Sequence, residues 1–186
     1  MRVVGGSARG RRLRAPQRAS VRPTADRVRE AVFDVLSHLD AIEDATVVDL
    51  FAGSGAFGIE ALSRGAAAAT FVDSDRAAVA AVRANLETTG LSSAATRVVR
   101  ADALAWCAQV REPFDLAFVD PPYRFARWRE LLARLPARMA VLESSHEIEL
   151  AAGFTLHRVY RYGGTLVTVV VSFRPASPAA GTEEPR

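Results

Sequence analysis

The residues with the clearest chemical potential are Asp120, Pro121, Pro122 and Tyr123, which directly follow the apolar run 114–119. Such a run is typical of a buried strand, and the prolines must end it because proline donates no ladder hydrogen bond. The end of the strand therefore gathers a carboxylate, rigid backbone carbonyl groups and an aromatic ring. This set fits a flat base with an exocyclic amine, since the ring can stack on the base while the oxygens accept its N–H groups. We predict that these four residues are catalytic.

A second candidate site lies between Val47 and Gly58, where the pattern indicates a strand, a glycine turn and the start of a helix. Glycines permit tight turns and close ligand approach, and a helix N-terminus offers N–H groups. Gly53, Gly55 and Gly58 also satisfy the G-x-G-x-x-G pattern, and Asp73 follows Gly53 by 20 residues. That is the dinucleotide-binding fingerprint, so the glycines alone leave a nicotinamide dinucleotide and S-adenosylmethionine (SAM) both open.

Two features favour SAM: Asp49, and the downstream motif from Asp120 to Tyr123, which hydride transfer does not need. Asp49 stands just before the turn, where it would repel a pyrophosphate but can pair with the ammonium of a methionine moiety. Asp73 can accept both hydroxyls of a ribose, although it can also be a solvated strand end or a helix cap; Asp75 is the better cap candidate. Asp102 can bind an adenine amine, cap the next helix, or do both. The predicted cofactor-binding residues are Asp49, Phe51, Gly53, Gly55, Asp73, Asp102 and Ala103.

Short apolar segments alternate with helical patterns from residue 46 onwards. This alternation predicts right-handed crossovers and a mostly parallel sheet that is covered on both faces. The chain ends differently, because residues 154–162 and 165–173 form two longer strand patterns joined by Gly163-Gly164, which predicts an antiparallel hairpin. The expected fold class is α/β, Rossmann-like, with a mostly parallel seven-stranded sheet. Strands are predicted near 46–50, 69–72, 97–99, 114–119 and 139–142, and helices near 55–64, 75–88, 102–109 and 125–134.

The N-terminal region predicts a basic extension over residues 1–23, ahead of a domain over 24–174 and a disordered tail over 175–186. Glycines at 5, 6 and 10 favour a hairpin-like arm over residues 2–14. Pro16 and Pro23 bracket a loop. Thr24 is the predicted N-cap of a first helix. One apolar stripe is expected on that helix, formed by Val28, Ala31, Val32, Val35, Leu36 and Leu39.

Charge is distributed unevenly along the chain. All 24 basic residues are arginine; residues 1–30 hold nine of them against two acidic residues, a net charge of +7, and the remainder carries −4. A basic arm before a mildly acidic body favours contact with phosphates, with a solvated arginine surface as the alternative. Arg22 and Arg27 can instead hold the arm to the domain. The predicted RNA-binding residues are Arg9, Arg11, Arg12, Arg14, Arg22 and Arg27, with Arg29 as a further phosphate candidate.

Length and composition exclude several classes of protein. At 186 residues, 49% hydrophobic and 24% charged, the chain resembles one ordinary globular domain. The single cysteine, Cys107, fits a reducing compartment and is expected to be a buried structural thiol. No apolar run is long enough for a signal peptide or a membrane span, so we expect a cytoplasmic protein. Cys107 and three scattered histidines predict no metal site.

With these residues in hand, the chain resembles the bacterial 16S rRNA guanine-N2 methyltransferase family (RsmD type) from Arg2 to about Thr168. The resemblance implies that SAM donates a methyl group to the N2 amine of one guanine in 16S rRNA, and that Asp120 to Tyr123 hold that base. It also implies 16S rRNA as the partner, within a small-subunit assembly intermediate, and we expect a monomer. The matching segments are Val3 to Gly6, Arg9 to Arg11, Arg22 to Glu30, Asp49 to Gly58, Glu60 to Gly65, Asp120 to Tyr123 and Tyr162 to Thr165.

Three other functions are compatible with parts of the pattern. An N6-adenine DNA methyltransferase would use the same four-residue motif, although 186 residues leave little room for a separate DNA-recognition domain. A nicotinamide-dependent oxidoreductase would use the glycine turn but has no need of Asp49 or the Pro-Pro motif. A non-catalytic RNA-binding assembly factor would keep the motif as a relic, and it need not retain Asp49, Asp73 and the motif from Asp120 to Tyr123 all intact.

Overall fold

The computed structural model describes residues 1–16 and 24–173. Within them a seven-stranded sheet has the order β3-β2-β1-β4-β5-β7-β6. The first five strands are parallel, and β7 lies antiparallel between β5 and β6. The predicted α/β fold with its closing hairpin is therefore confirmed. The strands are β1 Thr46–Leu50, β2 Ala68–Asp73, β3 Thr96–Arg100, β4 Phe114–Val119, β5 Ala137–Ser144, β6 Phe154–Tyr162 and β7 Thr165–Ser172.

Helices cover both faces of the sheet. Side chains alternate along each strand, so Val47 of β1 joins one apolar core and Val48 joins the other. The first core contains residues of α1, α2 and α3, and the second contains residues of α4 and α5. The helices are α1 Thr24–His38, α2 Ala56–Ser63, α3 Arg76–Thr89, α4 Ala103–Cys107 and α5 Trp128–Arg134.

The order of the strands determines where a ligand can enter. Strand β1 pairs with β2 on one side and with β4 on the other. The strands that follow β1 therefore extend the sheet first in one direction, through β2 and β3, and then in the opposite direction, from β4 onwards. A crevice opens at such a reversal, beyond the carboxyl ends of the parallel strands. This edge carries the residues after β1, Asp73 at the end of β2, and Asp120 after β4.

The N-terminal arm forms the predicted hairpin-like structure and packs on the domain. An isolated antiparallel bridge joins Arg2 to Arg12, and the Val3 N–H donates to the Arg11 carbonyl at 2.9 Å. Val3, Ala8 and Leu13 are buried in the first apolar core, so the arm is part of the folded body.

Several element boundaries differ from the sequence predictions. Thr24 is already part of α1, so it does not precede the helix as a cap. Helix α4 is shorter than expected because the chain must extend again before Pro113 and β4. Helix α5 begins at Trp128 because the Phe125 N–H is used in a turn to the Pro122 carbonyl. The predicted disordered tail over 175–186 and most of the loop before α1 lie outside the described residues.

Candidate active site

A cleft of about 400 Å³ opens at the carboxyl ends of the parallel strands. Its wall combines residues from both candidate sites of the sequence. The glycine turn and the end of β2 contribute Phe51, Gly53 and Asp73, while the segment after β4 contributes Asp120, Pro121, Pro122 and Tyr123. The structure therefore brings the predicted base-binding motif next to part of the predicted cofactor site.

The turn between β1 and α2 depends on left-handed backbone conformations. Gly53 has φ 55° and Gly55, the residue before α2, has φ 76°; Phe51 adopts φ 57° although it carries a side chain. Gly58 has a different role, since a Cβ atom there would lie 2.3 Å from the Phe71 ring. Glycine at 58 therefore lets α2 pack closely on β2, while the glycines at 53 and 55 shape the turn.

Asp73 joins the glycine turn to the end of β2. One carboxylate oxygen accepts the Gly53 N–H at 2.9 Å, and the other accepts the Asp75 N–H at 2.9 Å. Each oxygen has further acceptor capacity, so Asp73 can still bind hydroxyl groups in the cavity that it lines. Asp75 caps α3 by accepting the Ala77 N–H at 2.8 Å, which confirms its predicted role.

Asp49 lies beneath the turn instead of on the cavity wall. It is 2% exposed, and its side chain accepts the Gly58 N–H at 3.0 Å. Burial raises the pKa of Asp49 to about 8, and the negative charges of Asp120 and Asp73 add to this effect, while the Gly58 hydrogen bond opposes it. In this structure Asp49 therefore supports the start of α2 from below.

The other predicted cofactor residues, Gly55, Asp102 and Ala103, are likewise not among the residues that line the cavity. Gly55 packs closely on its neighbours, since a Cβ atom there would lie 3.2 Å from Val82 and 3.3 Å from the Phe71 ring. Asp102 is the N-cap of α4 and accepts the Ala105 N–H at 2.9 Å, so the capping alternative is present in the structure. Ala103 is buried in the second apolar core.

The segment after β4 presents an aromatic side chain at the cavity mouth. Pro121 is buried, whereas Tyr123 is 55% exposed. The Pro122 carbonyl accepts the Phe125 N–H at 2.8 Å and so closes the turn. The Phe125 ring contacts Phe51 edge-on at 5.2 Å between centroids, which links the turn after β4 to the turn after β1.

Negative charge dominates the cavity. Asp73, Asp75, Asp120 and Glu143 all line it, and among the described lining residues there is no arginine. Such a site favours a cationic ligand and disfavours a pyrophosphate. The position of Glu143 near the end of β5 is evident from the sequence, but its type and position alone assign it no role.

A buried carboxylate anchors the arm to α2. Glu60 is fully buried and accepts the Val4 and Gly5 N–H groups at 2.8 and 2.7 Å. The Arg64 side chain donates to it at 2.8 Å, and the Arg29 Nε atom lies 3.6 Å away. Glu60 therefore satisfies backbone donors that the hairpin leaves unpaired.

The sequence analysis named Arg29 as a candidate for contact with phosphates, but its burial argues against that role. Its side chain is 2% exposed and donates to the Arg2 carbonyl besides facing Glu60. It therefore joins α1 to the arm. The side chains of Arg9, Arg11, Arg12, Arg14 and Arg27 are exposed, whereas Arg22 lies outside the described residues.

Residues 1–16 and 24–173 contain no cluster of three or more histidine, cysteine or acidic side chains suited to a metal ion. In the same residues, no helix is both long and apolar enough to cross a membrane. Cys107 is buried in the second core, as expected, and burial raises the pKa of its thiol to about 12.

Known proteins resemble this chain over most of its length. The family described as conserved hypothetical protein 95 matches residues 1–171. The ribosomal RNA small subunit methyltransferase D of Escherichia coli K12 is 40% identical over 168 residues, which cover 85% of this chain and 83% of that protein.

Solved structures show the same architecture. The yhhF protein of Escherichia coli superposes with a TM-score of 0.81 at 37% identity, covering 92% of this chain and 97% of that one. A hypothetical protein of Thermus thermophilus gives a TM-score of 0.77 at 33% identity, covering 91% and 98%. On the extent of these matches, the chain belongs to the conserved hypothetical protein 95 family, the family of the small-subunit rRNA methyltransferase D proteins.

Proposed function

We propose that this chain transfers a methyl group from SAM to the exocyclic N2 amine of a guanine in 16S rRNA. The observation that carries the proposal is the shared cavity in which the glycine turn and Asp73 face the segment from Asp120 to Tyr123. Family membership supports rRNA methylation, because relatives at 40% identity carry the name of a ribosomal RNA small subunit methyltransferase.

The residues around the cavity fit SAM. Its volume of about 400 Å³ lies in the range of small-molecule sites. Asp73 can accept the ribose hydroxyls, and the backbone at Gly53 allows close approach. SAM carries an ammonium and a sulfonium, which suit a cavity lined by carboxylates better than the pyrophosphate of a nicotinamide dinucleotide does. When bound, SAM supplies an electrophilic methyl group.

The segment after β4 supplies the chemistry on the side of the base. A guanine N2 lone pair is delocalised into the ring, so the amine is a weak nucleophile. Asp120 and the Pro121 carbonyl can accept its N–H groups and localise that lone pair, while the exposed Tyr123 ring stacks on the base. The nitrogen would gain the methyl carbon as the carbon–sulfur bond of the sulfonium breaks and S-adenosylhomocysteine leaves, and it would lose one proton, which Asp120 or water accepts. Positioning accounts for most of the acceleration, about 7–11 kcal/mol.

The direct test is methyl transfer to RNA by the purified protein. Small-subunit rRNA, free and in assembling particles, is incubated with SAM, and the digested nucleosides are identified by mass spectrometry. We expect N2-methylguanosine with the unaltered chain and far less of it with Asp120→Ala. N6-methyladenosine, or equal methyl transfer to DNA, would instead favour the adenine-methylating alternative.

A second measurement addresses the cofactor. Thermal stabilisation by SAM, with no effect of NAD at the same concentration, is expected from the charge of the cavity. Stabilisation by NAD alone would favour an oxidoreductase. RNA binding without SAM binding would favour the assembly-factor alternative.

We further propose that the chain acts as a monomer in the cytoplasm, on 16S rRNA within a small-subunit assembly intermediate.

A further inference from the structure

One buried amide connects the basic arm to the glycine turn. Asn85 of α3 is fully buried, and its Oδ1 atom accepts the Arg14 N–H at 2.8 Å. Its Nδ2 group donates to the Arg14 carbonyl at 2.9 Å and to the Ser54 carbonyl at 2.8 Å. Ser54 stands between the two glycines of the turn, so a single side chain holds both segments.

The same part of the arm also reaches the cavity. Pro16, two residues after Arg14, lines the cleft together with Gly53 and Asp73. At the other end of the arm, Met1 contacts the same turn, because the Ser54 hydroxyl lies 3.4 Å from the Met1 sulfur. The arm thus contributes a lining residue to the site and is fastened to the glycine turn, which contributes another.

We propose that Asn85 is a positioning residue that makes cofactor binding and RNA binding mutually dependent; this inference rests on the proposed function. Displacing Arg14 from α3 would leave a buried amide without two of its partners, which is costly. Anything that fixes the turn therefore stabilises the docked arm, and anything that fixes the arm stabilises the turn. Thermodynamic linkage requires the effect to be reciprocal.

A matched anchor in the arm provides the control. The Ser63 hydroxyl donates to the Gly5 carbonyl at 2.6 Å and accepts the Ala8 N–H at 2.9 Å. Ser63 belongs to the last turn of α2 and contacts the arm without bonding to Ser54. Losing it should loosen the arm on α2 but leave the connection to the glycine turn in place.

The experiment measures the affinity for S-adenosylhomocysteine by calorimetry, with and without saturating 16S rRNA, which is supplied both free and within small-subunit assembly particles. In the unaltered chain we expect the RNA to tighten binding by about fivefold or more. Asn85→Ala should reduce that factor to near one, whereas Ser63→Ala should retain it. A factor that is unchanged in Asn85→Ala, or absent from the unaltered chain, overturns the coupling.

Hydrogen exchange in the unaltered chain tests the same inference without relying on the fold of a variant. S-adenosylhomocysteine alone should slow exchange of the Arg14 amide, and 16S rRNA alone should slow exchange over residues 53–58. If neither ligand affects the other's segment, the coupling is wrong. A chain that binds both and methylates rRNA without coupling would leave the proposed function standing. A chain that binds no S-adenosylhomocysteine at all would remove that function as well.

Discussion

Asp73 combines a structural role with the ribose-binding role that we propose for it. Its carboxylate already holds the Gly53 and Asp75 N–H groups, and its remaining acceptor capacity is what the ribose would use. Because one carboxylate can serve both purposes, the sequence alone does not decide whether Asp73 binds a ligand, caps a helix or is a solvated strand end.

Replacing Asp73 with alanine is expected to weaken SAM binding by about 1–3 kcal/mol, or roughly 5- to 150-fold, because two hydroxyls lose their acceptor. Calorimetry measures the change. Asp73→Asn is the control, since its amide oxygen can still accept the Gly53 N–H, and it should lose less affinity. Unchanged affinity in the alanine variant would remove Asp73 from the cofactor site.

The residues after β4 should affect turnover more than cofactor binding. Tyr123→Ala removes the stacking surface, worth about 1–3 kcal/mol per base, and Asp120→Ala removes an acceptor for the amine. Both variants should lose most of their turnover at saturating RNA while their SAM affinity stays close to normal. Tyr123→Phe keeps the ring and should stay active. Near-normal rates in either alanine variant would contradict the roles assigned to this segment.

The buried carboxyl of Asp49 predicts a specific pH dependence of stability. Its pKa rises from 3.8 to about 8 on folding, so between these values the folded chain binds more protons than the unfolded chain. The stabilising contribution is fully present below pH 3.8 and is lost as the pH rises through about 8. Asp49→Asn should remove this slope, which is at most about 1.4 kcal/mol per pH unit. Urea unfolding between pH 5 and 8 compares the two proteins; parallel curves would contradict a raised pKa.

At the scale of whole elements, periodicity predicted most of the sheet and helices. Alternating apolar segments located all seven strands to within a few residues, and Gly163-Gly164 marked the final hairpin. Because side chains alternate between the two faces of a strand, Asp49 lies on the same face of β1 as Val47, under α2. The prediction that Asp49 binds the cofactor did not take this alternation into account.

Long-range polar contacts could not be derived in the same way. Glu60, Ser63 and Asn85 lie on helices, where polar residues usually face solvent, and each is instead buried against backbone groups of the arm. The segment from Glu60 to Gly65 belonged to the family resemblance, yet its function was not evident from the sequence. Its hydrogen-bond partners in the arm stand 55 or more residues earlier, so local patterns carry no information about them.

Two glycines of the arm provide a matched test of its docking on α2. Gly6 and Gly10 both have positive φ, at 74° and 84°, but a Cβ at Gly6 would lie 1.7 Å from the Ser63 carbonyl oxygen, whereas Gly10 has open space. Gly10→Ala should cost only the backbone strain, about 1–2 kcal/mol. Gly6→Ala should displace the arm and lower the melting temperature clearly further. Equal melting temperatures would show that the arm contributes no stability through this contact.

At the scale of the molecule, charge is separated between the arm and the cavity. The exposed arginines of the arm suit the RNA backbone, while the carboxylates of the cleft suit a cationic cofactor. A rise in salt should therefore weaken RNA binding far more than it weakens cofactor binding.

If about four arginines contact phosphates, RNA affinity should fall with salt at a log–log slope of roughly −3, taking about 0.7 per contact for single strands. Replacing Arg9, Arg11 and Arg12 together with glutamine should flatten the slope by about two units. SAM affinity and the melting temperature should stay nearly unchanged, because these side chains are exposed. RNA affinity is measured across a salt series for both proteins. An unaltered slope would mean that these arginines do not contact phosphates and that RNA binds around the mouth of the cavity instead.

The anchoring of the arm also has a consequence for the order in which the chain folds during synthesis. The arm is made before the helices that hold it: its partner Glu60 is 56 residues away from Val4, and Asn85 is 71 residues away from Arg14. At about 5–20 residues per second, the hairpin waits several seconds before either partner has been made. The most basic segment of the nascent protein therefore gains these contacts only after α2 and α3 have been made. Until then the arginines of the arm can contact RNA although the cavity that would bind the methylated base has not yet formed.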